Sequence, residues 1–92
     1  MDRRLYDLHL RAGQISGREK TCGKKTAYQT EEQALLAAAA HNRWAARRHD
    51  VEPYPCAFCQ QWHIGGIMPV EVLEAIVAGT KGNETATGHG GV

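Results

Sequence analysis

The chain has 92 residues, a formal net charge of +1, three cysteines and six aromatic side chains, which bounds it to one domain with too little apolar bulk to rest on a core alone. The odd cysteine count argues against a secreted disulfide scaffold, the N-terminal segment has no apolar run of signal-peptide length, and no window reaches the ~20 apolar residues of a membrane span. A cytoplasmic protein with reduced thiols and no membrane partner is therefore expected.

The charge is segregated. Residues 1–48 hold ten Lys/Arg against five Asp/Glu, and residues 49–92 hold one Lys against five acids. Binding one zinc ion by three thiolates would bring the total close to zero, so any argument for a nucleic-acid partner rests on a local patch.

At the N-terminus, Leu5, Leu8 and Ala12 fit a helical stripe capped by Asp2, while Tyr6, Leu8 and Leu10 fit strand alternation; the short helix is preferred. Gly13 to Gly17 reads as a loop. Residues 18–25 are basic and contain Cys22-Gly23. A glycine after a metal-binding cysteine suits a knuckle turn, which needs positive φ and close backbone approach to sulfur. Lys25 to Gln29 reads as a short strand.

Thr30-Glu31-Glu32-Gln33 is a helix start with Thr30 as cap and Gln33 at the capping-box position. The alanine-rich run after it predicts a helix to about Arg48, with Arg43 and Arg47 on one face. Glu52–Tyr54 and Trp62–Ile64 flank Cys56-Ala57-Phe58-Cys59 and predict an antiparallel hairpin, broken by Gly65-Gly66. Pro69 opens a second helix with Leu73, Ile76 and Val77 inward, Glu71 and Glu74 outward, and Gly79 as C-cap. The segmentation expected is residues 1–19 as a basic extension, 20–79 as the domain, and 80–92 as a disordered tail.

The chemistry concentrates in Cys56-x-x-Cys59-x-x-x-His63. Two thiolates from one tight turn set an edge of a tetrahedron, and an imidazole four residues on reaches a third corner. Cys22 is the expected fourth ligand, with His41 and His49 as alternatives, while His9 and His89 are expected to be solvated. The set Cys22, Cys56, Cys59 and His63 predicts a structural Zn2+ site. A thioredoxin-like centre would need the motif to open a helix in a βαβ scaffold. A zinc deaminase would need a His-x-Glu half that the chain lacks. Four protein ligands leave no open position for water, so no enzyme and no small-molecule substrate are expected. Trp62 is read as a cover over the metal turn, with base or partner stacking as the alternative.

The layout Cys22-x-x-Lys25-x-x-Tyr28-x-Thr30-x-Glu32-x-Ala34, then Tyr54-x-Cys56-x-x-Cys59-x-x-Trp62-His63-Ile64-Gly65, resembles a group of short zinc-finger-like proteins of bacteria, phages and mobile elements. The resemblance spans residues 22–66. It implies the same four ligands and an intracellular phage or bacterial regulatory setting.

The expected fold is α+β: a zinc-stabilised domain with a short hairpin or three-stranded sheet, a long central helix and a C-terminal helix. Two functions follow. One is a nucleic-acid-binding accessory or regulator using Lys20, Lys24, Lys25, Arg43, Arg47 and Arg48. The other is a protein-interaction module that docks on a host enzyme or polymerase through the acidic C-terminal half and the Pro69–Ala78 helix.

Overall fold

The computed structural model describes residues 1–44 and 50–87, with side chains of the last helix described through residue 79. The elements in order are α1 (Arg3–Ser16), α2 (Arg18–Thr21), α3 (Glu31–Trp44), β1 (Val51–Pro55), β2 (Trp62–Gly66) and α4 (Val70–Thr87). The fold is α+β, with the strands forming one antiparallel hairpin.

Helix α1 begins where the Asp2 carboxylate accepts the Arg4 N–H at 3.3 Å, an N-cap that satisfies one unpaired donor. His9 and Ala12 are buried on its inner face, with Leu5 and Leu8 half-buried. The helix passes through Gly13, where a loop was expected. Thr21 explains this: its hydroxyl donates to the Gly13 carbonyl at 3.0 Å, and a Cβ on Gly13 would lie 3.0 Å from the Thr21 methyl. The break falls instead at Gly17, whose φ of 99° is open to glycine. One turn of helix, α2, then leads to Cys22, an element the sequence did not reveal.

Helix α3 starts as its cap predicts. The Thr30 hydroxyl accepts the Gln33 N–H at 3.1 Å, and the Gln33 side chain accepts the Gln29 N–H at 3.0 Å. Ala34 and Ala38 form its buried stripe, and α3 packs on both strands. Their small side chains let the hairpin approach closely, so Leu35 and Leu36, about 100° and more around the helix, point to solvent. The Asn42 amide brackets the start of β1, donating to the Val51 carbonyl at 3.0 Å and accepting the Val51 N–H at 2.8 Å. Residues 45–48 of the expected helix lie outside the described ones.

In the hairpin Tyr54 faces His63 and Pro55 faces Trp62. Gly65 and Gly66 remain in β2 rather than ending it. Glycine at 65 gives the Tyr54 ring room, since a Cβ there would lie 3.0 Å from the ring edge. The expected strand over 25–29 reduces to a single bridge, in which Tyr28 and Trp62 exchange both backbone hydrogen bonds at 2.7 and 2.8 Å.

The Pro69 carbonyl accepts the N–H groups of Val72 and Leu73 at 2.9 and 3.2 Å and so starts α4. Leu73 is fully buried, and Val70, Ile76 and Val77 are half-buried. Glu71 faces out, whereas Glu74 pairs with Arg4 of α1. Helix α1 packs along α4 and against β1, so residues 1–19 carry a packed helix where a basic extension was expected. Gly79 is not a C-cap. It lacks the left-handed conformation that ends helices, and α4 continues to Thr87, past the expected start of the tail at Thr80; residues 88–92 lie outside the described ones.

Among the described residues the buried apolar set is Ala12, Ala34, Ala38, Cys56 and Leu73. Only Leu73 is a large side chain, so packing alone supplies little stability. No described helix is long and apolar enough to cross a membrane.

Candidate metal centre

Three separate pieces of chain deliver the four side chains. Cys22 follows α2 in a tight turn, in which its carbonyl accepts the Lys25 N–H at 2.9 Å and Gly23 takes a φ of 44°. Gly23 has no room for a side chain, as a Cβ would meet the Glu19 carbonyl oxygen at 2.5 Å.

Cys56 and Cys59 sit in the turn between the strands. It is closed by Cys56 N–H to the Gln61 carbonyl at 2.8 Å and Gln60 N–H to the Cys56 carbonyl at 3.0 Å. Gln60 carries the positive φ, 61°, that the reversal needs. His63 follows from β2. The ligating atoms of Cys22, Cys56, Cys59 and His63 all lie within 4.8 Å of one another.

The geometry fits a tetrahedral ion. Zinc–sulfur bonds of about 2.3 Å and zinc–nitrogen bonds of about 2.0 Å imply sulfur–nitrogen edges of about 3.5 Å. The Cys59 Sγ and His63 Nε2 are 3.4 Å apart. Nδ1 of His63 lies 2.7 Å from the Thr26 carbonyl. Donation of Nδ1–H to that oxygen leaves the Nε2 lone pair free to ligate, the orienting contact that metal-bound imidazoles depend on. His63 and Cys56 are almost wholly buried, at 1% and 2% exposure.

Electrostatics point the same way. Burial and the neighbouring Cys56 and Cys59 push the Cys22 thiol up to about 11. Burial alone would raise Cys56 too, but N–H groups of Cys59 and Phe58 aimed at its sulfur, with the Cys59 and Cys22 thiols, hold it below the usual thiol value. Three sulfurs packed this tightly resist joint ionisation unless a cation lies among them. The donor set therefore suits a thiophilic divalent ion held by four protein ligands.

Around the cluster, Tyr54 stands between two histidines. Its ring is 5.8 Å from that of His63 and stacks on His9 at 6.2 Å, and its hydroxyl donates to the Thr21 carbonyl. Burial and then the three cysteines push that hydroxyl up to about 12, so it stays a donor. Arg18 lies over the Phe58 ring at 5.0 Å, tying α2 to the metal turn.

All four expected ligands come together. The alternative His41 is exposed on α3 and outside the cluster; His49 and His89 lie outside the described residues. His9, expected to be solvated, is buried under Tyr54. Trp62, expected over the metal turn, makes an edge-to-face contact with Tyr6 of α1 at 5.9 Å.

Lys20, Lys24, Lys25 and Arg43 are exposed. Among the described residues α2 and α3 make no contact, so Lys20 and Arg43 stand on elements that do not touch. Arg47 and Arg48 lie outside the described residues. The Thr26 carbonyl was not foreseen, because a backbone acceptor leaves no mark in a sequence. Tyr54 was legible only as part of the Tyr-x-Cys pattern.

The fold and cluster define a small α+β domain built around a Cys3His site able to hold a metal ion. The chain matches no family model, no curated protein and no solved structure.

Proposed function

We propose that the chain is a structural-zinc interaction module, and that the exposed face of α3 is the surface it works through. The four-ligand site closes the coordination sphere and leaves the metal no position for substrate, so its role is to hold the turns together. The resemblance to bacterial and phage zinc-finger-like proteins is consistent with an accessory or regulatory role.

The observation that carries this reading is the exposure of Leu35, Leu36 and Trp44 on α3, at 51%, 69% and 80%, with Leu36 central on the exposed face and Leu35 and Trp44 on its two flanks. Apolar side chains grouped on one helix mark a covered surface. Ala39 and Ala40 lie between them, also exposed, and let a partner helix approach closely.

That face fits a second copy of itself. With two α3 helices antiparallel, Leu36 of each meets Ala39 of the other, Leu35 meets Ala40, and Glu32 meets Arg43. Such a two-fold interface uses one patch twice and is self-complementary in shape and charge. Sedimentation equilibrium of the zinc-loaded protein tests it: a concentration-dependent dimer supports self-pairing. A strict monomer that nonetheless retains proteins from nuclease-treated lysate, lost on Leu36→Glu, places a different helix there.

A second reading has its own observation. Arg18, Lys20, Lys24 and Lys25 surround the Cys22 turn, all exposed, and none forms an ion pair among the described residues. A nucleic-acid backbone would suit them. Binding of single- or double-stranded oligonucleotides that weakens steeply between 50 and 200 mM salt would support it, and no affinity at low salt would remove it.

A further inference from the structure

A cavity of about 550 Å³ opens on the face of the hairpin away from α3, between α1, α2, β1–β2 and α4. Its size falls within the ~300–1,000 Å³ of small-ligand pockets. One wall is apolar, made by Ala12, Met68, Leu73 and Ile76, and the ionisable groups on its lining are His9, Lys20, Lys25 and Tyr54. No carboxylate is among the described lining residues; Glu52 lies just behind them, its carboxylate held by the Met68 N–H at 2.9 Å.

Two features of the lining bear on what it would hold. His9 is 7% exposed and has no hydrogen-bond partner among the described residues. Its ring lines the cavity, and its polar atoms are not sealed within protein. A ligand with a polar head can therefore meet the imidazole in place of the water that reaches it through the cavity. The exposed Lys25 side chain, moreover, lies along the rim of the cavity, its ammonium 3.3 Å from the Tyr54 hydroxyl and 5.6 Å from the ring centroid. It has no ion-pair partner among the described residues.

We infer that this cavity binds a small amphipathic carboxylate, with its anionic head at Lys25, Lys20 and His9 and its apolar body along Leu73, Ile76 and Met68. The charge of the lining selects the head group, and the apolar wall selects the body. The inference is independent of the zinc and α3 readings, since the cavity uses neither a metal ligand nor a residue of α3. It adds a small-molecule ligand to a chain for which no small-molecule substrate was expected. That expectation rested on the closed metal site; the cavity lies elsewhere, where the fold unites His9, Lys25 and Leu73, which are far apart in sequence.

The test is NMR titration of the zinc-loaded protein with decanoate, decanol and decylammonium as probes. Decanoate should give saturable amide shifts at His9, Thr21, Gly65 and Leu73, with affinity at least tenfold above that of decanol, and decylammonium should give none. Lys25→Met, an exposed change that leaves the metal site intact, should reduce decanoate affinity about tenfold and leave decanol unchanged. Absence of saturable shifts with decanoate would overturn the inference, as would equal binding of the three probes or an unchanged affinity in Lys25→Met.

Discussion

The Tyr54 hydroxyl donates its hydrogen bond to the carbonyl of Thr21, the residue before Cys22. Tyr54 also stands two residues before Cys56 on β1, so one side chain ties the two halves of the metal site together across 33 residues of sequence. Thr21 in turn donates to Gly13 of α1 at 3.0 Å. The path Gly13–Thr21–Tyr54 therefore links the N-terminal helix to the position of the first ligand. Tyr54→Phe keeps the ring between His9 and His63 and removes this bond together with the weaker one the hydroxyl accepts from the exposed Lys25 ammonium at 3.3 Å. It should cost about 1–3 kcal/mol, the penalty for an unmet part-buried carbonyl, read by urea unfolding of the loaded protein. Zinc affinity measured by chelator competition should fall as well, because Cys22 loses its anchor. An unchanged affinity would mean that the bond supports α1 alone.

Metal removal is the broadest prediction. With Leu73 as the one large apolar side chain buried among the described residues, the zinc-free chain has little to hold it. Structural zinc supplies about 10 kcal/mol or more of apparent binding energy in small fingers. Chelation, or Cys56→Ser, should abolish most far-UV CD ellipticity and collapse NMR dispersion. One zinc per chain should be found by elemental analysis. If helicity and dispersion survive metal removal, the structural role is lost.

The site was more legible than the fold around it. Cys22, Cys56, Cys59 and His63 could be read from residue type and spacing, because few arrangements satisfy a tetrahedral ion. The Thr30 cap and the hairpin were readable for a similar local reason. The strand expected after Lys25 was not formed, because the Thr26 carbonyl is turned to His63 and only Tyr28 reaches β2. The role of α1 was hidden, since its packing on α4 is a long-range contact with no local signature. The exposure of Leu35 and Leu36 was hidden for a related reason: which stripe of α3 is buried depends on the hairpin's close approach, which selects Ala34 and Ala38.

Gly23 offers a test of the knuckle that touches no ligand. Its φ of 44° and the 2.5 Å approach a Cβ would make to the Glu19 carbonyl oxygen both oppose any side chain. Gly23→Ala should destabilise the loaded protein by about 1–3 kcal/mol through left-handed strain and steric displacement of the turn. Gly66→Ala is the control, since a Cβ there meets nothing within 4 Å. It should shift stability by less than about 0.5 kcal/mol. Equal thermal shifts for the two variants would remove the steric argument.

His9 sets a pH dependence. Burial lowers its pKa from 6.5, partly opposed by Glu52, which raises it. The unfolded chain therefore takes up this proton more readily than the folded one, and stability rises with pH. The contribution of neutral His9 is fully present above the ordinary value of 6.5 and is eroded as pH falls below it. His9→Phe keeps an aromatic ring against Tyr54 and removes the titration. Between pH 7 and 5.5 the variant should show a shallower loss of stability than the parent. Comparing slopes cancels acid release of zinc, which both proteins share. Parallel slopes would show that His9 is equally ready to charge in both states.

Self-pairing of α3 makes the sharpest demand, because it fixes which residues meet. Glu32 and Arg43 lie near opposite ends of the helix, so in an antiparallel pair each Glu32 faces the other copy's Arg43, twice per dimer. Exposed pairs of this kind contribute only about 0.2–1 kcal/mol each, and the apolar contact at Leu36 should carry most of the affinity. Leu36→Glu places like charges near the two-fold axis and should leave only monomer by sedimentation. Arg43→Glu alone should weaken the dimer several-fold by setting glutamates against glutamates. The double variant Glu32→Arg with Arg43→Glu restores opposite charges at both ends and should recover dimerisation. A parallel pair would set Glu32 against Glu32 and Arg43 against Arg43, so the double swap would not rescue Arg43→Glu by this route. Recovery in the double variant thus identifies antiparallel register, and failure to recover would sink the proposed pairing even if some dimer persists.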